Sequence, residues 1–340
     1  MPITITASPL PTPSLLALLT SHLPHSLTVL RRLQFAANFP STNTPHTHIL
    51  HASLSPSSPP ADEKKTNHFA TAYVDLSRSP ETECFLYCTV EDFTDSIDYT
   101  IPPVLSASLS EDDARVCEDL VLAILGKIRE LEGEMDGGMV ERRVGRGKMV
   151  LGSLEEGMRR RLVGRGVRMA RTGVEMSPDV ERYGWEFYGK WLFRVEMLAG
   201  EMGMGMGIEG ARWDVVRRED VAVILARTKI PRQEATLLAL PSTVVRLEDG
   251  TPVAWAFLGP DGTLTTLHVE ESYRGKGLAK TLASKLMRDH LGDFGDDGWG
   301  AADVYVSNLQ SQAVCRSLGG KVSKTVCWAI LDLESVTSVL

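Results

Sequence analysis

The sequence predicts a protein of mixed α and β structure, in which a mostly antiparallel sheet is flanked by helices and a second α/β domain precedes it. In the second half of the 340 residues, apolar runs alternate with the turn sequences Glu-Asp-Gly and Gly-Pro-Asp-Gly, which predicts a meander of strands. Apolar residues at helical spacing predict helices beside these strands. A stretch of alternating Gly and Met near the middle of the chain predicts a linker between two domains.

The first half contains a series of strands and helices that can be read from periodicity and capping residues. The predicted strands are Ile3–Thr6, His48–Leu54, Phe69–Leu76, Glu83–Val90 and Met149–Gly152, with a loop over Ser55–Asn67. The predicted helices are Ser14–Arg32 with a break at Pro24, Glu111–Glu132, Leu154–Val163 and the aromatic-rich Asp179–Leu198. Ser110 is expected to cap the longest of these helices, and acidic residues in its first turn favour the same start.

The domain boundary is predicted at the Gly/Met stretch, Gly200–Gly210. We therefore expect an N-terminal domain over residues 1–175, a helical connector and linker over 176–211, and a C-terminal domain over 212–340. In the last of these, strands are predicted at Arg212–Arg217, Thr243–Leu247, Val253–Leu258, Thr263–Val269, Asp303–Ser307 and Thr325–Leu333. The predicted helices there are Asp220–Arg227, Arg232–Leu238, Gly277–His290 and Gln310–Leu318.

Composition excludes some classes of protein. The formal net charge of −8 argues against a protein that coats nucleic acid, and no apolar run has the length of a membrane span. The odd number and scattered spacing of the five cysteines favour reduced thiols inside the cell. The cytoplasm is the expected location, with mitochondria as the alternative because the first stretch is rich in Ser and Thr and has no acid before Asp62.

Two groups of basic or histidine residues suggest other binding sites. Between Arg142 and Arg171 there are ten basic residues against two glutamates, but no aromatic residue for base stacking, so a solvated face is the preferred interpretation. His46 and His48 share a strand face, but further ligands for zinc are not evident, and no metal site is predicted. The oligomeric state cannot be read from the sequence.

The candidate ligand-binding segment follows a predicted strand and leads into the start of a helix. It reads Leu267-His268-Val269-Glu270-Glu271-Ser272-Tyr273-Arg274-Gly275-Lys276-Gly277-Leu278-Ala279. Glycines allow a ligand to approach the backbone closely, and consecutive N–H groups at a helix start bind anions. Arg274 and Lys276 add positive charge, so a pyrophosphate is the expected occupant.

Arg274-x-x-Gly277-x-Ala279 resembles the Q/R-x-x-G-x-G/A signature of the GNAT acyltransferases. About 30 residues later, Asn308-x-x-Ser311-x-x-Val314-Cys315-x-x-Leu318-Gly319-Gly320 resembles the second conserved block of that superfamily. With Gly250-Thr251-Pro252-Val253-x-Trp255, the second half is most similar to the C-terminal domain of glycine N-acyltransferases. The first half resembles the N-terminal domain of that family more faintly, which implies a degenerate GNAT-like domain.

The resemblance implies an acyl-CoA-dependent N-acyltransferase, with acetyl-CoA or another acyl-CoA as co-substrate. The amides of Gly275, Lys276, Gly277, Leu278 and Ala279 are expected to hold the CoA pyrophosphate. Leu267, His268 and Val269 are expected to bind pantetheine through their backbone, and the Val269 N–H is the expected oxyanion donor. Arg274 and Asn308 are assigned to CoA binding by the same resemblance. The implied acceptor is a small amine or an amino acid such as glycine.

The sequence departs from the family at the position of the catalytic base. Several members carry a catalytic glutamate at a position that, by ungapped counting from Arg274, is Thr263 in this chain. Many members also carry a tyrosine that acts as an acid, and this chain has Cys315 at that position. His268 is the predicted substitute base, with Glu270 or Glu271 acting through water as the second choice. A packed strand histidine is the alternative interpretation of His268.

Two other functions remain open from the sequence. Because Thr263 and Cys315 replace titratable groups, the domain could bind acyl-CoA without turnover, as a sensing or scaffold module. A protein acetyltransferase acting on lysines or N-termini would instead need a wider, acidic acceptor groove.

Overall fold

The computed structural model describes residues 2–55, 67–93, 109–135, 144–173, 180–181, 184–198, 208–228 and 230–337. The helices are α1 (Pro13–Ser21), α2 (Leu27–Asn38), α3 (Glu111–Glu134), α4 (Glu156–Gly164), α5 (Val221–Arg227), α6 (Glu234–Ala239), α7 (Leu278–His290) and α8 (Leu309–Ser317). The strands of the first half are β1 (Ile3–Ser8), β2 (Thr47–Leu54), β3 (Phe69–Asp75), β4 (Cys84–Cys88), β5 (Lys148–Glu155), β6 (Met169–Arg171) and β7 (Tyr188–Arg194). Those of the second half are β8 (Arg212–Asp214), β9 (Ser242–Arg246), β10 (Pro252–Leu258), β11 (Leu264–Val269), β12 (Trp299–Tyr305) and β13 (Lys321–Asp332).

Both halves follow the same plan. Strands β1 to β4 pair antiparallel in chain order, and β4 then meets β5 in a parallel contact after the crossover through α3. Strands β8 to β11 repeat this order, and Thr263, directly before β11, forms a parallel bridge with Ala301 of β12 after the crossover through α7. A parallel neighbour requires a crossover connection, which is usually a helix, and α3 and α7 lie in these two connections.

The two halves exchange one strand each. Strand β7, from the first half, lies between β12 and the beginning of β13 (residues 321–326). The remainder of β13, from Val326 to Asp332, lies between β5 and β6 of the first half. The exchange joins the halves into one nine-stranded sheet, and strands β8 to β11 form a second, four-stranded sheet.

The core is divided in the same way. One apolar cluster surrounds Trp255, Phe257 and Leu282 in the second half, and another surrounds Leu86, Leu120 and Ile124 in the first half. Helix α7 buries Leu278, Leu282, Ala283 and Leu286, which recur every three to four residues, and leaves its opposite face to solvent. The predicted amphipathic helices therefore serve as covers for the two sheets.

The prediction of a helix over Asp179–Leu198, as part of the 176–211 connector, is wrong for Tyr188–Arg194, which forms β7. The residues of β7 from Gly189 to Phe193 are all buried, and the strand pairs with β12 on one edge and β13 on the other. A strand buried on both faces does not alternate between buried and exposed positions, and local periodicity does not separate it from a buried helix. The predicted Gly/Met linker, Gly200–Gly210, lies mostly outside the described residues.

Most other predicted elements are confirmed with small shifts of their ends. The break at Pro24 separates α1 from α2, and the Leu23–Pro24 peptide bond is cis. Ser110 caps α3 by accepting a hydrogen bond from the Asp113 amide. Among the described residues, no helix combines the length and the apolar character needed to cross a bilayer.

Candidate active site

The loop after β11 is shaped by two glycines. Gly275 and Gly277 have φ angles of 76° and 77°, a region that side-chain-bearing residues rarely adopt. A Cβ added to either residue would meet no atom within 4 Å, so the space in front of the loop is open. Glycine is therefore required here by backbone conformation, and the backbone is left accessible to a ligand.

The loop presents main-chain donors at the start of α7. Among the described residues, no acceptor is hydrogen-bonded to the N–H groups from Gly275 to Ala279, and the helix has no side-chain cap. Arg274 and Lys276 are exposed beside these donors. A row of free N–H groups at the positive end of a helix dipole, flanked by cations, can bind a diphosphate.

Strand β11 is irregular next to this loop. Its register against β10 shifts between Trp255 and Phe257, and Thr266 has a φ of 51°, so β11 carries a β-bulge. The Glu270 N–H donates to the Val253 carbonyl at 2.9 Å, which makes these two residues a hydrogen-bonded pair. Hydrogen-bonded and non-hydrogen-bonded pairs alternate in antiparallel strands, so the N–H and C=O of Val269, opposite Ala254, point away from β10.

The outward edge of β11 faces a gap. Beyond the bridge between Thr263 and Ala301, β11 and β12 do not pair, so the two parallel strands separate towards Val269 and Tyr305. The Val269 carbonyl in this gap accepts a hydrogen bond of 2.9 Å from Arg274 Nε. The Val269 N–H is thus available at the mouth of a cleft that begins at the amide-rich loop.

His268 lies against the aromatic core of the second half. Its ring stacks on Trp255, with centroids 4.6 Å apart and an interplanar angle of 20°. Its Nε2 makes no hydrogen bond among the described residues and lies 3.6 Å from Glu270 Oε1. Burial lowers the pKa of His268, with Glu270 opposing the change, so the imidazole is neutral at neutral pH and can accept a proton.

The two acids that could assist His268 differ in their surroundings. Glu270 is held by an ion pair of 3.0 Å with Arg227, whereas Glu271 is exposed at the start of the turn. The ion pair holds the Glu270 carboxylate next to the His268 ring.

The residues at the family's catalytic positions are buried. Thr263 donates from Oγ1 to Asp261 Oδ1 at 2.8 Å, and both residues are buried. Burial raises the pKa of Cys315 to about 12, so the thiol stays protonated at neutral pH. Neither Thr263 nor Cys315 can exchange a proton readily in this environment.

A buried ion pair that no sequence pattern predicts joins β7 to β12. Lys190 Nζ lies 2.9 Å from Asp303 Oδ1, and Ser153 Oγ donates to Asp303 Oδ2 at 3.3 Å. Burial raises the pKa of Asp303, with the Lys190 charge opposing the change. Asp303 lies in the predicted strand β12, but Lys190 comes from the segment predicted as helix, so no sequence signal could bring the two together.

Asn308 begins the helix that follows β12. Its side-chain oxygen accepts a hydrogen bond of 3.0 Å from the Ser311 amide, which caps α8. This contact gives Asn308 a structural role at the carboxyl end of β12, and its assignment to CoA binding remains a prediction.

The corresponding position in the first half is built differently. The Ser110 hydroxyl caps α3, and Glu111, Asp112 and Asp113 place negative charge in the first turn. Next to the parallel strands β4 and β5, Lys324 of the exchanged strand forms a buried ion pair with Glu91. The described residues of this half therefore place acids where the second half has open amides and cations; residues 94–108, between β4 and α3, lie outside the description.

The fold and the site define an acyl-CoA N-acyltransferase of the GNAT type, and comparison with known proteins supports this. Residues 2–191 match the family model described as "Acyl-CoA N-acyltransferase verG N-terminal domain", and residues 218–319 match the "Acetyltransferase (GNAT) family". The chain therefore belongs to the family of acyl-CoA N-acyltransferases that contain the verG N-terminal domain, and its second half is a GNAT domain. The GNAT family uses acyl-CoA as co-substrate, so a CoA thioester and an acceptor are the partners of the reaction.

One solved structure shares the fold, and two others align with lower scores. An X-ray structure of a Drosophila protein aligns with a TM-score of 0.58 and 12% identity, over 96% of this chain and 98% of the other. A GCN5-related N-acetyltransferase from Sphaerobacter thermophilus aligns with a TM-score of 0.48 and 11% identity, over 97% and 96%. A tandem GNAT protein from the clavulanic acid biosynthesis pathway aligns with 0.45 and 10%, over 98% and 99%. A search of curated proteins finds no match.

Proposed function

We propose that the protein transfers an acetyl or other short acyl group from CoA to the amine of a small molecule or amino acid such as glycine, and that the second half carries the catalysis. The observation that supports this most directly is the run of open N–H groups from Gly275 to Ala279. In this proposal they bind the CoA pyrophosphate, with Arg274 and Lys276 beside them. The pantetheine arm lies along the free edge of β11, from Leu267 to Val269.

The acyl transfer follows from this placement. The lone pair of the amine attacks the thioester carbonyl carbon, and the Val269 N–H stabilises the oxyanion, a contribution of about 3 kcal/mol for donors of this kind. The tetrahedral intermediate collapses to an amide, and the C–S bond breaks to release the CoA thiolate. His268 takes the proton that the amine loses, with Glu270 or Glu271 acting through water as the alternative. A thiolate with a pKa near 8.5 needs little assistance to leave.

The proposal is tested by measuring CoA binding and thiol release with the purified protein. Acetyl-CoA and butyryl-CoA are each combined with a panel of amino acids, polyamines and peptides, and the N-acylated product is identified by mass spectrometry. We expect thiol release that requires both the thioester and an amine. Absence of CoA binding contradicts the proposal for the cofactor site.

One observation favours a second function. Thr263 and Cys315 are buried and neither titrates near neutral pH, so the groups that assist transfer in many relatives are absent at these two positions. CoA binding without thiol release across the whole panel would identify an acyl-CoA-binding module. Release only with peptides would identify a protein acetyltransferase.

A further inference from the structure

The segment between α5 and α6 contains an arginine whose hydrogen-bonding capacity is only partly used. Arg232 NH2 donates to Thr265 Oγ1 on β11 at 3.2 Å, and NH1 reaches only the neighbouring Pro231 carbonyl, at 3.4 Å. The Nε–H is buried and makes no hydrogen bond among the described residues. A guanidinium group has five donors in a planar fork, so several of them remain without a partner.

The same part of the chain offers no ion pair for this group. Among the described residues, no carboxylate lies within 4.0 Å of the Arg232 guanidinium, although Glu81 and Asp261 act on it at longer range. Burial lowers the pKa of Arg232, and these two acids oppose the change. The Nε–H has no exposed surface, so a ligand must accept from NH1 and NH2, each of which still has an N–H without a partner.

The first half holds this segment in place. The Glu81 carboxylate accepts hydrogen bonds from the Gln233 amide at 2.9 Å and from Thr236 Oγ1 at 2.8 Å. The Gln233 side-chain amide also donates to the Ser79 carbonyl at 3.0 Å. Arg232 is therefore fixed between the first half of the chain and strand β11, and it retains partial exposure through which a ligand can arrive.

Arg232 contacts β11, the strand that forms one side of the cleft. Thr265 lies on β11 four residues before Val269, at the end of the strand away from the loop proposed to bind the pyrophosphate. The phosphates of CoA are therefore excluded as the anion for Arg232, because they are assigned to the opposite end. What can reach this end is a part of the substrates that extends beyond the thioester: the acyl group or the acceptor.

From this arrangement we infer that Arg232 binds a carboxylate of the substrate and thereby determines specificity; the inference rests on the acyl transfer proposed above. A carboxylate matches the fork of NH1 and NH2 with two parallel hydrogen bonds. The carboxylate belongs either to the acceptor, as in an amino acid, or to the acyl group, as in a dicarboxylic acyl-CoA. Both sources present the same chemistry to Arg232.

Matched substrates separate the two sources. One arm compares glycine and β-alanine with their amides, using acetyl-CoA, and the other compares succinyl-CoA with butyryl-CoA at a fixed amine. We expect the native protein to prefer the carboxylate member in one arm. Arg232→Met should raise KM for that member about 10- to 100-fold and leave KM for its neutral partner within threefold, as for loss of a charge-assisted pair. Arg232→Lys should lose part of the preference.

Arg218→Met is the control, because Arg218 is exposed and pairs with Glu234 on the surface of the same region. It should change neither preference. Equal KM values for both members in both arms, or an equal effect of Arg232→Met on charged and neutral substrates, would overturn the inference.

Failure of the proposed function is recognised separately. If the native protein releases no thiol with any pair, calorimetric titration of the CoA-loaded protein with glycine and with succinate still tests Arg232. Binding of one of them that disappears in Arg232→Met supports the inference, and absence of binding to the native protein contradicts it.

Discussion

Main-chain groups and a few buried side chains determine the chemistry of the site at the scale of single residues. The proposed contacts with CoA come from the main-chain amides between Gly275 and Ala279. These contacts do not depend on side-chain identity, except where the backbone conformation requires glycine. The titratable side chains depend instead on burial. Burial lowers the pKa of His268 and keeps its ring neutral, and the buried Asp303 is paired with Lys190. Proton transfer at this site is therefore expected to depend on His268.

Replacement of His268 with Gln should lower kcat/KM about 100-fold or more, which is the usual range for a general base. The native rate should increase as pH rises through the lowered pKa of His268, because only the neutral ring accepts a proton. The variant should lose this dependence. The measurement is a pH profile of thiol release under kcat/KM conditions.

His290→Gln is the control, because His290 is partly exposed and pairs with Asp293 at the end of α7. An unchanged rate and profile in His268→Gln would assign the proton transfer to another group, with Glu270 and Glu271 as the next residues to replace.

Glu155 makes stability depend on pH. Burial raises its pKa from 4.5 to about 7, with Glu91 adding to the rise and Lys324 opposing it. A raised carboxyl pKa means that the folded state binds more protons than the unfolded state between these values, so the contribution is favourable at low pH and is lost as pH rises to 7. Glu155→Gln should therefore raise the free energy of unfolding at pH 8 relative to the native protein, and by less at pH 5.

Urea unfolding at the two pH values measures this difference. Glutamine keeps the oxygen that accepts from the Met158 amide, so the cap of α4 is retained. Glu219→Gln, at an exposed position, should show no such pH-dependent gain. A gain for Glu155→Gln that is equal at both pH values would contradict the assigned pKa.

Two elements create the cleft at the scale of secondary structure: the bulged strand β11 and the uncapped start of α7. The bulge at Thr266 and the divergence from β12 leave the edge of β11 without a strand partner near Val269. The glycine conformation at Gly277 starts α7 without a side chain over its first turn. Together they align a free strand edge with a free helix terminus, which matches the extended shape of pantetheine joined to a diphosphate.

Gly277→Ala should weaken CoA binding at least tenfold, because a Cβ in the left-handed region distorts the loop and occupies the space that the ligand approaches. Its cost in stability should be on the order of 1 kcal/mol. Calorimetric titration with CoA and thermal unfolding measure the two effects.

Gly250→Ala is a matched control, because Gly250 has a φ of 92° and open space around it in the turn between β9 and β10. It should lose similar stability and keep the native affinity for CoA. Equal affinities for both variants would show that the loop after β11 does not contact the ligand.

The exchange of strands makes the two halves interdependent at the scale of the whole molecule. Strand β13 pairs with both β5 and β6, and its removal would leave both without that neighbour. Strand β7 likewise lies between β12 and β13, and its removal would separate them. The halves are also joined by Arg31 of α2, which donates to Asp297 at 2.7 Å and to the Trp299 carbonyl. The first half therefore supports the cleft with β7 and the Glu81 loop, although it places acids where the other half binds anions.

Expressed separately, residues 1–211 and 212–340 should each fail to show a cooperative unfolding transition. Each lost strand pairing removes backbone hydrogen bonds that contribute about 0.5–1.5 kcal/mol apiece, and their sum approaches the total stability of a domain. Circular dichroism melting of each piece provides the measurement.

Co-expression of the two pieces should restore a soluble complex that unfolds cooperatively, because both exchanged strands are then present. A sharp transition in either piece alone would show that the exchanged strand is dispensable.

Local sequence patterns were sufficient for much of the second half. The turns with Gly250 and Gly262, the apolar runs of β9 to β11 and the glycines before α7 predict the meander and its loop from residues near in sequence. They were insufficient where a partner comes from far along the chain. Tyr188–Arg194 has aromatic residues at spacings that fit a helix, and only the presence of β12 and β13 on either side makes it a strand.

The sequence by itself determined the acyltransferase fold and the position of the amide-rich loop, because glycine conformation and strand-to-helix turns are local properties of the chain. Only the tertiary structure decided the exchange of β7 and β13, the pairing of Lys190 with Asp303, and the position of Arg232 beside β11. These features depend on contacts between residues that are distant in sequence, and their energies come from burial and hydrogen-bond partners that exist only after the two halves have folded together.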